Sequence, residues 1–220
     1  MPEGRRVYAV GDIHGHPKLL EQLHRMILAD VAEAGGGENV IVYLGDYVDR
    51  GPDSRGVIER LIGKPLPGFE AVRLMGNHED FMLRFLDGTE VGPNWFDNGG
   101  DATLESYGVP QPGRWSRAEA YARARSELVA ALPAAHLRFL RRLLPSHEEG
   151  DYFFAHAGVR PGVPLAGQSA FDLIWIRDAF LRSDEDFGKV VVHGHTPENE
   201  VQCRPNRIGI DTGAYFTGHL

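Results

Sequence analysis

Two carboxylates and one guanidinium lie within five residues of this chain, at Asp46, Asp49 and Arg50. The apolar run 40–44 precedes them, and a glycine stands on each side of the group. Buried charges need partners, so a strand that ends in such a group is typical of a functional site. A carboxylate there can bridge two metal ions, and the planar guanidinium can hold a phosphate through two hydrogen bonds. We therefore predict that Asp46 serves metal ions and that Arg50 serves a phosphate.

Four further apolar runs also end in potential metal ligands, each set flanked by glycine, which lets the backbone turn sharply. The five sets are Asp12 with His14, then Asp46, then Asn77 with His78, then His156, and last His193 with His195. A single such residue would usually belong to a turn or the surface; the fivefold repeat indicates function. Because the carboxyl ends of strands line one edge of an α/β sheet, these distant residues are expected to meet.

The predicted ligands offer nitrogen and oxygen atoms and no sulfur. Such a set suits Mn, with Fe or Zn as alternatives, better than a soft metal, and histidines are not typical of a pure Mg or Ca site. Two divalent ions about 3.5–4 Å apart that share a carboxylate account for the number of ligands, and such a pair performs hydrolysis well. Arg177 could bind a phosphate in the same forked way as Arg50.

The elements that must position these groups follow from the apolar pattern. Strands are predicted at residues 7–10, 40–44, 71–75, 152–155 and 189–192, with a further strand and turn at 208–213. Helices are predicted from Pro17, after a cap at Asp53 or Ser54, after Glu79, and over 169–182. This alternation of strands and helices predicts the α/β class.

Residues 87–145 interrupt the alternation and contain no convincing strand pattern. Loop signals stand at 92–93, 98–100 and 110–113, and two helices are predicted, over 116–132 and 133–144. This segment is too short and too often interrupted for a sizeable core of its own. We interpret it as a mainly helical insertion that covers one edge of the site, within a single catalytic domain over residues 1–220.

The composition limits the partners. The 220 residues are 42% hydrophobic and carry a formal net charge of −8, so a basic surface for nucleic acid or membranes is not expected. The one cysteine, Cys203, excludes a disulfide framework and is interpreted as structural. Without a signal-peptide pattern or a long apolar run, we expect a cytoplasmic monomer. Leu220 stands where another strand could begin.

The motifs at 11–15, 45–51 and 76–79, with His156 and the stretch 194–196, resemble the calcineurin-like metallophosphoesterases. Within them, the chain is most similar to the phosphoprotein phosphatase branch, in particular to small bacterial and phage-type serine/threonine protein phosphatases. The stretches 98–100, 175–177 and 210–214 fit the same group. The resemblance implies two mixed β-sheets sandwiched between helices, and a phosphorylated protein or small molecule as substrate.

The resemblance also implies a division of roles. His78 would be the general acid that protonates the leaving oxygen, and Asp49 would pair with it. Asn77 would contact both metal and phosphate. The metal ligands would be Asp12 and His14 for the first ion, Asp46 as the bridge, and Asn77, His156 and His195 for the second; the phosphate ligands would be Arg50, Asn77 and Arg177. The catalytic set is thus His78, Asp49, Arg50 and Arg177.

Several alternatives stay open. His193 could bind metal instead of standing beside the ligand His195, which would favour a phosphodiesterase. A diadenosine tetraphosphate hydrolase shares the core motifs, although Asp49 favours a protein phosphatase. An inactive phosphate-binding scaffold is the alternative of a different class. Three other histidines and the three tryptophans are expected to be ordinary structural residues: His24, His136, His147, Trp95, Trp115 and Trp175.

Overall fold

The computed structural model describes residues 4–113 and 117–220. Trp115, expected to be structural, and Ser116, the predicted start of one helix, lie outside the described residues. The strands are β1 (Arg5–Val10), β2 (Glu38–Tyr43), β3 (Phe69–Arg73), β4 (Ser146–Glu149), β5 (Tyr152–Ala155), β6 (Val190–His193), β7 (Gln202–Cys203) and β8 (Arg207–Gly209). The five predicted strands are therefore present, with small shifts at their ends.

The strands form two sheets. The first has the order β1-β2-β3 and is parallel throughout. The second has the order β4-β5-β6-β8-β7, with antiparallel pairs at its two ends and parallel pairs in its centre. The α/β class and the two-sheet architecture are confirmed, and the mixture of strand directions belongs to the second sheet.

Strand β2 shows how the layers are built, because successive side chains of a strand point to opposite faces. Val40 and Val42 are fully buried between the two sheets, where they join Phe154 and Val192 of the second sheet. Ile41 and Tyr43 are buried in a separate core on the other face, beneath the helices. A strand buried on both faces reads as an apolar run without alternation, as 40–44 does.

Helices cover the outer faces. They are α1 (Pro17–Ala34), α2 (Ser54–Leu61), α3 (Asn77–Leu86), α4 (Gly92–Asp97), α5 (Gly100–Ser106), α6 (Ala118–Ala131), α7 (Ala134–Leu140), α8 (Ala170–Trp175), α9 (Asp178–Leu181) and α10 (Ala214–Thr217). Asp53 caps α2 by accepting the backbone N–H of Gly56, as predicted. No helix among the described residues is long and apolar enough to cross a membrane.

Three predictions of local structure are wrong. The single helix over 169–182 is two short helices, because Ile176, with φ −62° and ψ 144°, and Arg177, with φ −133° and ψ −105°, have a non-helical backbone between α8 and α9. The second helix of the insertion ends at Leu140 rather than at 144. The loop signal at 92–93 instead begins helix α4, since proline is also suited to the first helical turn, whereas the signal at 98–100 marks the turn between α4 and α5, as predicted.

The insertion packs into the main core. Trp95, Leu104 and Leu128 are fully buried with the side chains of β2, α1 and α2. Strand β4 follows the insertion directly and was not anticipated, since the sequence of Ser146–Glu149 is polar. Cys203, interpreted as structural, is exposed on β7. The insertion therefore extends the core that β2 forms with α1 and α2.

Candidate active site

Two loops that follow β1 and β2 lie against each other. The backbone N–H groups of Ile13 and His14 both donate to the carbonyl of Asp46, at 3.0 and 2.9 Å, and Gly15 donates to Tyr47 at 2.9 Å. The approach is so close that a Cβ atom on Gly51 would lie 1.9 Å from the carbonyl oxygen of His14. Glycine is therefore required at position 51. The loop that carries the motif at 11–15 lies directly against the loop that carries the motif at 45–51.

Asp46 lies between two histidines from different strand ends. Its Oδ2 is 3.5 Å from Nε2 of His14, and its Oδ1 is 3.4 Å from Nε2 of His156. Two atoms bound at about 2.0–2.2 Å to one ion are separated by roughly 3.0–3.5 Å. Each oxygen of Asp46 thus lies at ligand separation from a different imidazole, which is the arrangement expected of a carboxylate that bridges two ions.

The tautomers of these histidines are fixed by backbone carbonyls. Nδ1 of His14 donates to the carbonyl of Val48 at 2.9 Å, and Nδ1 of His156 donates to that of Leu44 at 3.0 Å. Each Nε2 therefore turns its lone pair toward Asp46. Histidines that bind metal usually donate their second nitrogen in this way, which orients the ring and raises its basicity.

Two groups of side chains have donor atoms close enough to hold one ion each, and Asp46 belongs to both. They are His14, Asp46 and His78, and Asp46, His156 and His195. Burial lowers the pKa of His14 to about 3 and that of His195 to about 2. Burial would raise the pKa of Asp46, but the surrounding histidines lower it. His14 and His195 therefore present neutral imidazoles, and Asp46 presents an ionised carboxylate, which are the forms that bind metal.

The chemistry of the donors fits divalent ions. Nε2 of His195 is buried and bonds to no described group, so its lone pair is available to a cation. Burial, and then the charges of Asp211 and Asp46, raise the pKa of Asp12 well above its ordinary value. Three buried carboxyl groups this close together need positive charge to stabilise them, and metal ions would supply it.

Asp12 lies beside the two groups, and Asn77 adjoins the second of them. The carboxylate of Asp12 accepts the backbone N–H of His195 at 3.1 Å. The amide oxygen of Asn77 lies 2.9 Å from Nε2 of His156, so both predicted ligands stand at the site. The structure thus brings together all six residues predicted as metal ligands. It also includes His78 in the first group, to which Asp12 does not belong.

His193, the alternative ligand, lies outside both groups. Its ring packs edge-on against Phe180, with ring centroids 5.1 Å apart, and its Nδ1 lies 3.1 Å from the carbonyl of Gly194. Because side chains two apart on a strand share a face only while the strand continues, the end of β6 at His193 separates it from His195. The direction of the ring favours packing over ligation.

His78 and Asp49 form a buried pair. Nδ1 of His78 donates to Oδ2 of Asp49 at 2.7 Å, and its Nε2 is 3.7 Å from Oδ2 of Asp46. Burial alone would lower the pKa of His78, but the charge of Asp46 and the hydrogen bond to Asp49 outweigh it, so the pKa is raised. A protonated imidazole whose free nitrogen faces the metal ligands is suited to donate a proton there.

The two predicted phosphate-binding arginines lie on either side of the site. Nη1 of Arg50 donates to Nε2 of His14 at 3.0 Å, and its guanidinium lies 4.7 Å from the ring centre of Tyr215. Arg177 is exposed; burial is the main cause that lowers the pKa of His156 and His195, and the positive charge of Arg177 adds to it. A metal ion on His14 would replace the hydrogen bond from Arg50 and leave its guanidinium available to a phosphate.

Backbone strain is concentrated at these residues. Among the described residues, the non-glycine positions with positive φ are His14, Asp46, Asp49, Arg50 and His195. Each was predicted from the sequence as a site residue. Such conformations are costly for residues with a Cβ atom and persist where the surrounding structure imposes them, often at functional sites.

Sequence reasoning missed several residues that support the site. Glu79 is fully buried and accepts the backbone N–H groups of Asp46, Tyr47, Val48 and Gly76 at 2.8–3.2 Å. Trp95, interpreted as a packing residue, also donates to Asp49, as does Thr103. Only Glu79 carried a signal, since it directly follows His78 in an already suspicious motif.

Comparisons with known proteins show what the chain is similar to. A family model described as calcineurin-like phosphoesterase matches residues 5–220. Serine/threonine-protein phosphatase 2 of Escherichia coli strain K12 is 27% identical over 225 residues, which cover 98% of this chain and 91% of that protein. Bis(5'-nucleosyl)-tetraphosphatase PrpE [asymmetrical] of Anoxybacillus flavithermus is 27% identical over 231 residues, or 96% of this chain and 86% of its own.

A solved structure shares the fold. The protein serine/threonine phosphatase from Saccharomyces cerevisiae with similarity to human phosphatase PP5 aligns with a TM-score of 0.59 at 16% identity. The alignment covers 99% of this chain and 70% of that one. At this identity the likeness concerns the fold alone.

Proposed function

The chain belongs to the calcineurin-like phosphoesterase family, a family of metal-dependent phosphoester hydrolases, and on that premise we propose that it removes phosphate from phosphoserine and phosphothreonine in proteins. The observation that carries the proposal is the buried pair of His78 and Asp49 beside the predicted metal ligands, with a donor–acceptor distance of 2.7 Å. Relatives named as serine/threonine phosphatases support it.

Two divalent ions, which we propose to be Mn with Fe or Zn as alternatives, would be held by six residues of this chain. They are Asp12, His14, Asp46, Asn77, His156 and His195. When bound, such ions supply a hydroxide at neutral pH and neutralise phosphoryl oxygens. Asp46 would serve both, because each of its oxygens faces a different histidine.

The general acid favours an alcohol leaving group. Hydrolysis of a phosphoserine releases a serine oxygen, which is strongly basic and needs a proton as the bond breaks. Hydrolysis of a dinucleoside polyphosphate releases a phosphate oxygen, which is a much weaker base. His78, which Asp49 keeps protonated and aligned, meets the first need and is superfluous for the second. The pair therefore supports a phosphomonoesterase over a polyphosphate hydrolase.

Arg50 and Arg177 would hold the transferred phosphate. Both lie beside the predicted ligands, and no described acidic side chain pairs with either guanidinium. Arginine binds phosphate through two parallel hydrogen bonds, which fixes its orientation as well as its position. Asn77 could add a contact from the first turn of α3.

A diadenosine tetraphosphate hydrolase is the second candidate, and exposed aromatic rings favour it. Tyr215 is 39% exposed next to Arg50, and Phe216 beside it is 60% exposed. Phe171, 66% exposed, stacks on Trp175, which in turn contacts the ring of His195. Such surfaces could stack with a nucleobase. The named likeness to a bis(5'-nucleosyl)-tetraphosphatase supports this candidate as well.

One set of rates distinguishes the two candidates. The protein is assayed with Mn on a phosphoserine peptide, a phosphotyrosine peptide and diadenosine tetraphosphate, and a chelator must abolish each activity. We expect the phosphoserine peptide to be turned over fastest. His78→Asn should then lower the phosphoserine rate far more than the dinucleotide rate, whereas Phe216→Ala should affect the dinucleotide alone. A phosphatase that prefers diadenosine tetraphosphate and does not depend on His78 would contradict the proposal.

A further inference from the structure

The insertion supplies the hydrogen bonds that hold Asp49. We infer that Trp95 and Thr103 are positioning residues for the reaction, because they fix the carboxylate of Asp49 and thereby the direction in which His78 presents its proton. The inference rests on the proposed role of His78 as the general acid. It assigns to helices α4 and α5 a part in the chemistry itself, in addition to their packing in the core.

The Asp49 side chain accepts three hydrogen bonds, which involve both of its oxygens. Oδ2 accepts Nδ1–H of His78 at 2.7 Å and Nε1–H of Trp95 at 2.8 Å, and Oδ1 accepts the hydroxyl of Thr103 at 2.6 Å. The carboxylate therefore cannot rotate without losing at least one buried hydrogen bond. Asp49, Trp95 and Thr103 are all fully buried, so water cannot replace the lost partner.

The backbone of Asp49 is held by Thr103 of α5 and by Ser54 of α2. Its N–H donates to Oγ1 of Thr103 at 2.9 Å and to Oγ of Ser54 at 3.0 Å. Thr103 uses its single hydroxyl proton for Oδ1 of Asp49, so the hydroxyl of Ser54, 2.9 Å away, donates to Thr103. Thr103 thus bonds to both the main chain and the side chain of Asp49, which has a left-handed backbone with φ 71°.

A packing role alone does not account for this network. Trp95 could fill its place in the core with any large ring, and its contacts with Phe85 and Phe96 require no N–H group. Thr103 is fully buried, where valine has the same shape and no polar cost. The polar atoms of both residues instead converge on one carboxylate, which orients the acid. Small displacements of a catalytic group are costly in rate, so a fixed Asp49 has a direct chemical use.

The substitutions Thr103→Val and Thr103→Ser test the inference, because they keep the shape or the hydroxyl respectively. The complete protein with Mn is assayed on phenyl phosphate, whose leaving oxygen needs a proton, and on p-nitrophenyl phosphate, whose leaving oxygen needs it far less. We expect Thr103→Val to lose kcat on phenyl phosphate about 10-fold more than on p-nitrophenyl phosphate, with KM unchanged for both. Thr103→Ser should restore the wild-type ratio.

Trp95→Phe provides an independent variant, since it removes the N–H group and keeps an aromatic ring. It should shift the ratio of the two rates in the same direction. Leu104→Val is the matched control, because Leu104 follows Thr103 in α5, is equally buried and lies in the apolar core. This control should lower both rates by the same factor, if at all.

His78→Asn separates failure of the inference from failure of the proposed function. If the wild type hydrolyses neither ester, or if His78→Asn does not change the ratio, the general acid is refuted and the inference falls with it. If His78→Asn changes the ratio but Thr103→Val and Trp95→Phe reduce both rates equally, as Leu104→Val does, the two residues are structural. That result would overturn the inference and leave the proposed function intact.

Discussion

Replacing Gly51 with alanine should lower the affinity for metal ions, although Gly51 is not itself a predicted ligand. Gly51 binds nothing itself, but the Cβ atom of an alanine would lie 1.9 Å from the carbonyl oxygen of His14. Real Cβ atoms do not approach closer than 3.0 Å, so the two loops must separate by at least 1.1 Å, the difference between these distances. The obstacle is backbone on both sides, and no flexible side chain can move away to relieve it.

This separation exceeds what a metal site tolerates. Ligand distances hold to within about 0.2 Å in a well-formed site, and His14 and Asp46 lie on the two loops that must part. We expect the affinity for Mn to fall about 10- to 100-fold, the range seen when the groups that orient ligands are lost. Strain in the backbone should also lower the free energy of unfolding by about 1–3 kcal/mol.

Calorimetric titration of the metal-free protein with Mn measures the affinity, and urea unfolding of the metal-free protein measures the stability. Gly36→Ala is the matched control, because a Cβ atom there would meet nothing within 4 Å and its φ is not positive. The control should bind Mn with wild-type affinity. If Gly51→Ala bound Mn within twofold of the wild type while folded, the two loops would not set the ligand geometry, and the reasoning would be refuted.

Three further predictions concern single residues. His78→Asn should lower turnover and leave Mn binding intact; loss of an ion in calorimetry would instead make His78 a ligand, as its place in the first group allows. Arg50→Ala should weaken product inhibition by phosphate about 10- to 100-fold, the loss expected for a charge-assisted pair, and an unchanged inhibition constant would refute the contact. The stability of the fold should decrease as pH falls from about 6.5 to 4, because burial lowers the pKa of His24 to about 4 and folding then excludes a proton. In urea unfolding at pH 7 and pH 5, His24→Asn should make the decrease smaller; an identical decrease would show that other groups cause it.

The residues predicted at the strand ends lie together in the structure, whereas several of the predicted helices have other bounds. The strand ends at Asp12, Asp46 and Asn77 lie at one edge of the first sheet, because parallel strands bring their carboxyl ends together, a rule that needs no knowledge of side-chain contacts. His156 and His195 follow strands of the second sheet, and they reach the same site because the two sheets pack face to face. The helix predicted over 169–182 failed because periodicity cannot register the two residues, Ile176 and Arg177, that have a non-helical backbone. Short helices such as α4 and α5 also escape detection, since their few residues give no full period.

The order of residues along the chain predicts the chemistry of this protein: an α/β fold whose strand–glycine–ligand repeats offer donors suited to divalent metal, with Asp46, Asp49 and Arg50 at their centre. Those properties are local, because they depend on which residue follows each strand. The contacts that hold Asp49 in place depend on the tertiary structure. Trp95 and Thr103 lie 46 and 54 residues beyond it, and hydrogen bonds over such distances follow from how the insertion packs, which no periodicity in the sequence encodes.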